Sequence, residues 1–527
     1  MNAHDRTEDG SSSGSGTASP FPERATTMPD ARRVAAILAS LAVVCSAAWF
    51  VINVPIGNVD VSWLLVVCGR VLDGARLHAD IVEINPPLSV WLYMPFVLAE
   101  RVIGLRAEFW MTVGVCGLAV LSVWMCVRIA QEDRPRRLGL MPAGLISLLW
   151  LFPRDFGQRE QVAVIALLPW LALLASRDRH ADFSVGTGVQ RVLAGLGAAV
   201  FVALKPPLSV FALLVPILWL CVVRRDVRPV FTTENVVGAL VVLSYLAWLA
   251  AFHQAFFTDI LPIAQDFYLP ARMSAATMLT LTPVATFSAL VVAVLAAAHP
   301  GRVDRGALLL LLSAAGYLPV FVLLGKGWPY QALPTLTLGV LALFLQISRA
   351  REATRPGWIR RIGIAAGLLV VANILGPELV APRRISVDAA AAAIDGAVRS
   401  PTIGSIATRL QPAHPLTRMV EGQFVARYPA FWFADNAAGL IRTTDPARGA
   451  HLAALRDRMI DDLATEMARL RPDVIVDGGT RLTQGQKDVH DNPHVARMLA
   501  SYRLLYRDDE TTIWLRSDPS SAAESEP

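Results

Sequence analysis

Residues Asn58 to Ile103 read NVDVSWLLVVCGRVLDGARLHADIVEINPPLSVWLYMPFVLAERVI. How this stretch meets a bilayer decides the architecture of the chain. It lies between two apolar runs, Ala35–Ile52 and Phe109–Arg128, each close to the ~20 residues that cross a membrane. Its second half, Pro86–Ile103, is also apolar and long enough to cross, yet it opens on Pro86-Pro87. The basic residues resolve the choice, because cytoplasmic loops concentrate Arg and Lys. Basic loops occur at 128–137 (RIAQEDRPRR), 177–180, 224–228 (RRDVR), 302–305 and 349–361 (RAREATRPGWIRR). If Pro86–Ile103 stays on one face, all of them share a side with Arg32-Arg33; if it crosses, all lie opposite. The segment therefore reads as an interfacial or re-entrant helix.

Working outward, the further candidate spans are Leu138–Phe152, Val162–Ser176, Arg191–Leu204, Leu208–Val223, Val236–Phe252, Met278–Ala298, Ala307–Leu324, Leu333–Ile347 and Ile362–Val380. The expected fold is a polytopic α-helical membrane protein with eleven spans plus the interfacial helix, its N-terminus cytoplasmic and its C-terminus outside. Composition agrees: 54% of the 527 residues are hydrophobic, 17% are charged, and the mean hydropathy is +0.47, whereas a soluble domain carries about a quarter charged residues. The net charge of +5 fits Arg-rich cytoplasmic loops and gives no argument for nucleic acid. Residues 1–32, with SSSGSGTASPFPE, read as a disordered cytoplasmic tail. Residues 33–380 form the transmembrane domain, with a first outer loop at 53–108, and 381–527 a small α/β domain on the outer face. Within that domain we expect an Ala-rich helix near Val387–Val398 and an amphipathic helix near His451–Leu470. A strand at Asp473–Val476 and a hairpin of Tyr502–Arg507 with Thr511–Arg516 follow. The five cysteines show no C-x-x-C spacing, so neither a disulfide framework nor a zinc site is indicated.

The polar residues gather in the outer loops. Asp60 heads an apolar segment, VSWLLVVC, and a carboxylate held against apolar surface is a candidate general base. Asp73, Asp80 and Glu83 follow before Asn85-Pro86-Pro87. The loop PRDFGQREQ (153–161) packs Arg154, Asp155, Gln158, Arg159 and Glu160 between two spans. Such density is either an internally paired cluster or the floor of a pocket for a polar ligand. Lysine is rare, only Lys205, Lys326 and Lys487 among 48 basic residues. Lys205 (FVALKPPL) and Lys326 (LLGKGWPYQALP) both end spans on the outer face. Snorkelling accounts for a Lys there, and an ammonium also suits a lipid phosphate or pyrophosphate as a point charge. Trp328 and Tyr330 suit stacking on a sugar or anchoring in the interface. There is no P-loop, no G-x-G-x-x-G and no H-E-x-x-H, and the cytoplasmic loops are too short for a nucleotide-binding domain. Any donor is therefore expected to be membrane-borne or extracytoplasmic.

Together these residues resemble the GT-C superfamily of integral-membrane glycosyltransferases, which use polyprenyl-phosphate-linked sugars. The first loop is similar to that of protein O-mannosyltransferases and lipid A aminoarabinose transferases. Asp60 matches the acid that follows their first span, Leu72-Asp73-Gly74 the middle, and DIVEINPP (80–87) the acid before a Pro-containing segment on the membrane. FGQREQ, LKPPL and KGWPYQ resemble a bacterial branch of GT-C-like proteins. The resemblance implies an inverting transfer at the outer face of a bacterial inner membrane, from a polyprenyl-phosphate sugar to a glycan, lipid or protein acceptor. It implies Asp60 as base, with Glu83 and Asp80 as second candidates, and Lys326, Lys205 and Arg159 on the donor phosphate. Gln158, Glu160, Trp328, Tyr330 and Asn85 are then candidates for sugar or acceptor contacts. It points to no metal ligand and requires no cofactor, although a divalent metal is compatible with the chemistry. A transporter or flippase would show ionisable residues at mid-bilayer and an internal repeat, and neither is apparent. A non-catalytic scaffold for envelope synthesis and an O-antigen-ligase-like enzyme are the other readings.

The topology is tested by single cysteines, Arg134→Cys and Asp509→Cys, in a Cys-free background. They are expected to label from opposite sides of a sealed membrane, Asp509→Cys from outside; labelling of both from outside overturns it.

Overall fold

The computed structural model describes residues 31–53, 58–130, 134–180, 185–205, 208–350, 357–380 and 387–517. The N-terminal tail to residue 30, Pro206-Pro207 and parts of two Arg-rich loops (131–133 and 351–356) lie outside the described residues.

All eleven apolar stretches are helices. Seven are long and apolar enough to cross a membrane: Arg33–Asn53, Ala107–Ala130, Arg159–Asp178, Thr233–Phe252, Arg305–Leu324, Pro329–Arg349 and Trp358–Pro377. Four more are apolar but shorter: Gly139–Leu149, Gly188–Leu204, Leu208–Arg224 and Thr282–Ala298. The helix Arg159–His180 is the central one, packed against Ala107–Ala130, Gly188–Leu204, Arg305–Leu324 and Leu333–Ala350. Between apolar helices, association rests on close packing and a few polar bonds. Gly197 supplies the first, since a Cβ there would lie 2.1 Å from Ala166 O of the central helix. Ser122 Oγ donates to Ile165 O at 2.6 Å and Trp170 Nε1 to Asn235 Oδ1 at 2.7 Å, supplying the second. Toward the end of the central helix, the buried Arg177 pairs with the buried Glu234 through both terminal guanidinium nitrogens, and Thr232 Oγ1 donates to Glu234 at 2.8 Å.

Pro86–Ile103 is broken into two short helices, Leu88–Trp91 and Met94–Ile103. Neither approaches the ~20 residues needed to cross. Ser89, Val90, Tyr93 and Val97 face the protein, while Leu98, Val102, Ile103 and Leu105 are exposed. That division is the amphipathic pattern of a segment lying on a bilayer.

The C-terminal domain holds a five-stranded sheet of β1 (Thr402–Ser405), β2 (Gln423–Phe424), β3 (Val474–Gly478), β4 (Tyr502–Arg507) and β5 (Thr511–Arg516). Their order is β2-β1-β3-β5-β4, with β2, β1 and β3 parallel and β3, β5 and β4 antiparallel. The hairpin has the expected limits. The amphipathic helix starts earlier than expected, at Pro446, because Asp445 caps it and accepts from Arg448 N, and a proline at the first helical position is pre-organised for the turn.

This domain is clamped to the first loop. Arg418 bonds Glu100 and Glu108 at 2.7 and 2.9 Å, Arg70 Nη1 donates to Ala426 O at 2.6 Å, and Val82 N donates to Arg427 O at 2.9 Å. Arg448 reaches Asp266 at 2.6 Å. Arg418→Ala strands the part-buried Glu100 and leaves Glu108 with Arg106 alone, so a loss of about 3 kcal/mol is expected. Thermal unfolding and faster proteolysis of the C-terminal domain in detergent would read it; unchanged values would show that the clamp contributes nothing.

Candidate functional site

The helix Val59–Leu72 begins at Asn58, whose side chain accepts from Asp60 N at 2.9 Å and caps it. Asp60 therefore sits in the first turn. Gln158 Nε2 donates both to Asn58 Oδ1 (2.6 Å) and to Asp60 Oδ2 (3.1 Å), and Asn58 Nδ2 donates to Asp155 Oδ1 at 2.8 Å. The acid is thus fixed by a side-chain relay between two loops. Asp60 Oδ1 accepts no hydrogen bond among the described residues. The second loop is itself pinned, by Tyr93 Oη to Gly157 O and by Gln161 Nε2 to Leu148 O, both at 2.7 Å.

Arg159 and Glu160 open the central helix and are buried. Lys205 Nζ pairs with Glu160 Oε1 at 3.0 Å, and Glu160 Oε2 lacks a hydrogen-bond donor. Arg159 Nε and Nη1, Gln158 Oε1 and both polar atoms of the Gln331 side chain also lack partners. Buried polar atoms are nearly always paired, so this concentration suits a polar ligand or water.

Glu83 is buried as well and is held by three donors: Trp63 Nε1 at 2.5 Å, Asn85 N at 2.8 Å and Asn85 Nδ2 at 2.5 Å. Asp60, Arg159 and Glu160 lie within electrostatic reach of Tyr93, Tyr268 and Tyr330, and Arg159 and Glu160 of Tyr317. Half of the chain's eight tyrosines therefore surround these acids. Trp328 stacks on Tyr330 with ring centroids 5.8 Å apart.

The structure thus brings together Asp60, Gln158, Arg159, Glu160, Lys205 and Tyr330, with Glu83 in reach of Arg159. Asn85 serves Glu83 rather than facing outward as a contact of its own. Asp80 is turned away: Arg76 binds it at 2.9 Å at the exposed rim of the loop, and that bond lowers its pKa to about 2. Lys326 is not a free outward ammonium. Its Nζ donates to Tyr268 O and, at 2.6 Å, to Ala271 O, and lies 4.0 Å from the Tyr268 ring centroid. Burial, reinforced by Arg272, lowers its pKa to about 8. Asn58, Tyr93, Tyr268 and Tyr317 were not singled out from the sequence; the scarcity of tyrosine was the signal available. Among the described residues no three His, Cys, Asp or Glu side chains gather as ligands for a metal ion.

Known structures bear on this arrangement. ArnT from Cupriavidus metallidurans, bound to undecaprenyl phosphate, superposes with a TM-score of 0.56 at 14% identity, over 92% of this chain and 98% of that one. The arabinofuranosyltransferase AftD from Mycobacteria gives 0.44 at 13% identity, over 92% of this chain and 42% of the other. No family model and no curated protein matches the sequence. The fold is accordingly like that of ArnT.

Acylation of Lys326, followed by mass spectrometry of its peptide, is expected to show a midpoint near pH 8 instead of near 10.5. The sign follows from burial: the neutral, reactive amine predominates above pH 8, and the cation only below it. A midpoint near 10.5 would mean that the ammonium is solvated.

Proposed function

We propose that the chain is an inverting glycosyltransferase that takes a sugar from a polyprenyl-phosphate donor at the outer face of a bacterial inner membrane. The observation that carries this is the set of buried, unpartnered polar atoms on Gln158 and Arg159 beside Asp60. It lies within a fold shared with a protein whose structure holds undecaprenyl phosphate.

In the transfer, an acceptor hydroxyl gives its proton to Asp60 Oδ1, the oxygen left without a hydrogen bond. The acceptor oxygen bonds to the anomeric carbon as the bond from that carbon to the phosphate oxygen breaks. The electron pair leaves with polyprenyl phosphate. Gln158 holds Oδ2 and so aims the carboxylate. Arg159, with two nitrogens unpartnered, and Lys205 face the growing phosphate charge, where fixed cations in a water-poor site act strongly. Glu160 keeps Lys205 in place until the phosphate arrives. Tyr268, Tyr317 and Tyr330 line the sugar's path, each with a ring face and a hydroxyl.

Asp60→Asn is expected to lower turnover by about 10²–10⁴-fold while donor affinity and membrane insertion stay near wild type. Arg159→Met should lower donor affinity, whereas Asp80→Asn should be mild. The assay uses protein in nanodiscs with a panel of undecaprenyl-phosphate hexoses and pentoses. Normal turnover in Asp60→Asn with a dead Glu83→Gln would move the base to Glu83, and full activity in both would end the carboxylate mechanism.

A further inference from the structure

The C-terminal domain contains a polar cleft that the transfer chemistry does not use. In sheets with parallel strands, ligands settle outside the carboxyl ends where successive connections leave to opposite sides. β1 and β3 form such a pair. The chain leaves β1 to build β2 on one flank, then returns past β1 to build β3 on the other. A cleft of about 250 Å³ lies at that point. Thr408, Arg409 and Gln411 line it from beyond β1, Arg481 and Thr483 from beyond β3, and Glu510 from the β4–β5 turn. The turn is fastened down by Thr480 Oγ1 to Asp509 Oδ1 at 3.0 Å. Gly479 allows this approach, since a Cβ there would fall 2.2 Å from the Asp509 backbone.

The charges in the cleft are unequal in their pairing. Arg481 faces Asp509 at 3.4 Å. Arg409 is exposed and has no hydrogen-bond or ion-pair partner among the described residues. One unneutralised guanidinium therefore stands beside hydroxyl, amide and carboxylate groups. Guanidinium binds a carboxylate or phosphate through two parallel bonds. Hydroxyl, amide and carboxylate side chains are the complement of sugar hydroxyls, and the acidic lip at Asp509 and Glu510 opposes a multiply charged ligand.

We propose that this cleft binds a saccharide unit bearing a single negative charge, a carboxylate or a phosphodiester, with Arg409 on the anion. Resting on the transfer reading above, that unit belongs to the acceptor. A physical link supports the assignment. Gln411-Pro412 in the cleft wall runs straight into the helix Ala413–Met419. His414 of that helix packs on Trp63 with ring centroids 4.5 Å apart, and Trp63 donates to Glu83.

The test titrates full-length protein in nanodiscs, without donor, with glucuronate, the methyl diester of glucose 1-phosphate, and glucose, read by calorimetry or ligand-observed NMR. At least one charged probe should saturate while glucose does not, and which one does distinguishes carboxylate from phosphodiester. Arg409→Ala, an exposed position that spares the fold, should weaken binding by about ten- to a hundredfold, with Arg409→Lys in between. Asp60→Asn should bind as wild type does. No saturation by either charged probe, glucose binding equal to theirs, or an Arg409→Ala protein that binds normally would each overturn the proposal. Because no donor is present, the two readings fail separately: transfer without cleft binding removes this site alone, and cleft binding without transfer removes the transferase alone.

Discussion

A carboxylate taken out of water must be supplied with donors, and Glu83 is supplied with three. Two come from its neighbour Asn85 and one from Trp63 on the preceding helix. The bond to Trp63 folds the first loop back on itself, so that the chain enters Pro86 from a fixed direction. The indole then offers its ring to the C-terminal domain, where His414 and Phe424 pack on it. Burial keeps His414 neutral, its pKa lowered to about 3, so it contributes surface and leaves the carboxylate's charge alone. Loop, broken helix and small domain take their mutual orientation from this contact.

The central helix carries charge near both ends, in two different states. Toward the end that holds Arg177, Glu234 and Thr232 satisfy one another. At the beginning, Arg159 and Glu160 are just as buried, but much of their bonding capacity is idle. Buried ion pairs are costly unless fully bonded. The first pair is thus accounted for within the fold, whereas Arg159 keeps two guanidinium nitrogens without a hydrogen-bond partner among the described residues.

Much of this was legible in the sequence. Long apolar runs announce helices with little ambiguity, and the alternation in Tyr502–Arg507 and Thr511–Arg516 located the hairpin. β1 and β2 escaped notice because TIGS and QF are too short for any period to show. The segment 256–268, between the expected spans Val236–Phe252 and Met278–Ala298, forms two π-helical turns around Leu261–Ile263, a geometry with no sequence signature of its own. In the site, the crowding of polar residues in 153–161 was visible, but only the fold sets Gln158 against Asp60 and brings Arg159 within its electrostatic reach. Asp80 went elsewhere because Arg76, four residues before it, captured it locally. Lys326 found carbonyls 55 and 58 residues away, a partnership that only the tertiary fold creates. Tyr268 and Tyr317 entered the site for the same reason.

The exposed apolar edge formed by Leu98, Val102, Ile103 and Leu105 has a mechanical consequence. It acts as a float. Arg101, which bonds Gly69 O and Asp73, and Arg106 nearby resist sinking, while the apolar edge resists lifting away from the lipid. Because the helix Val59–Leu72 packs on this float, Asp60 is held at a set position relative to it. An isoprenoid carrier drawn upward out of the bilayer would lose about 0.8 kcal/mol for every methylene exposed. Under the transfer proposed above, a site moored at the level of the float would spare the carrier this work.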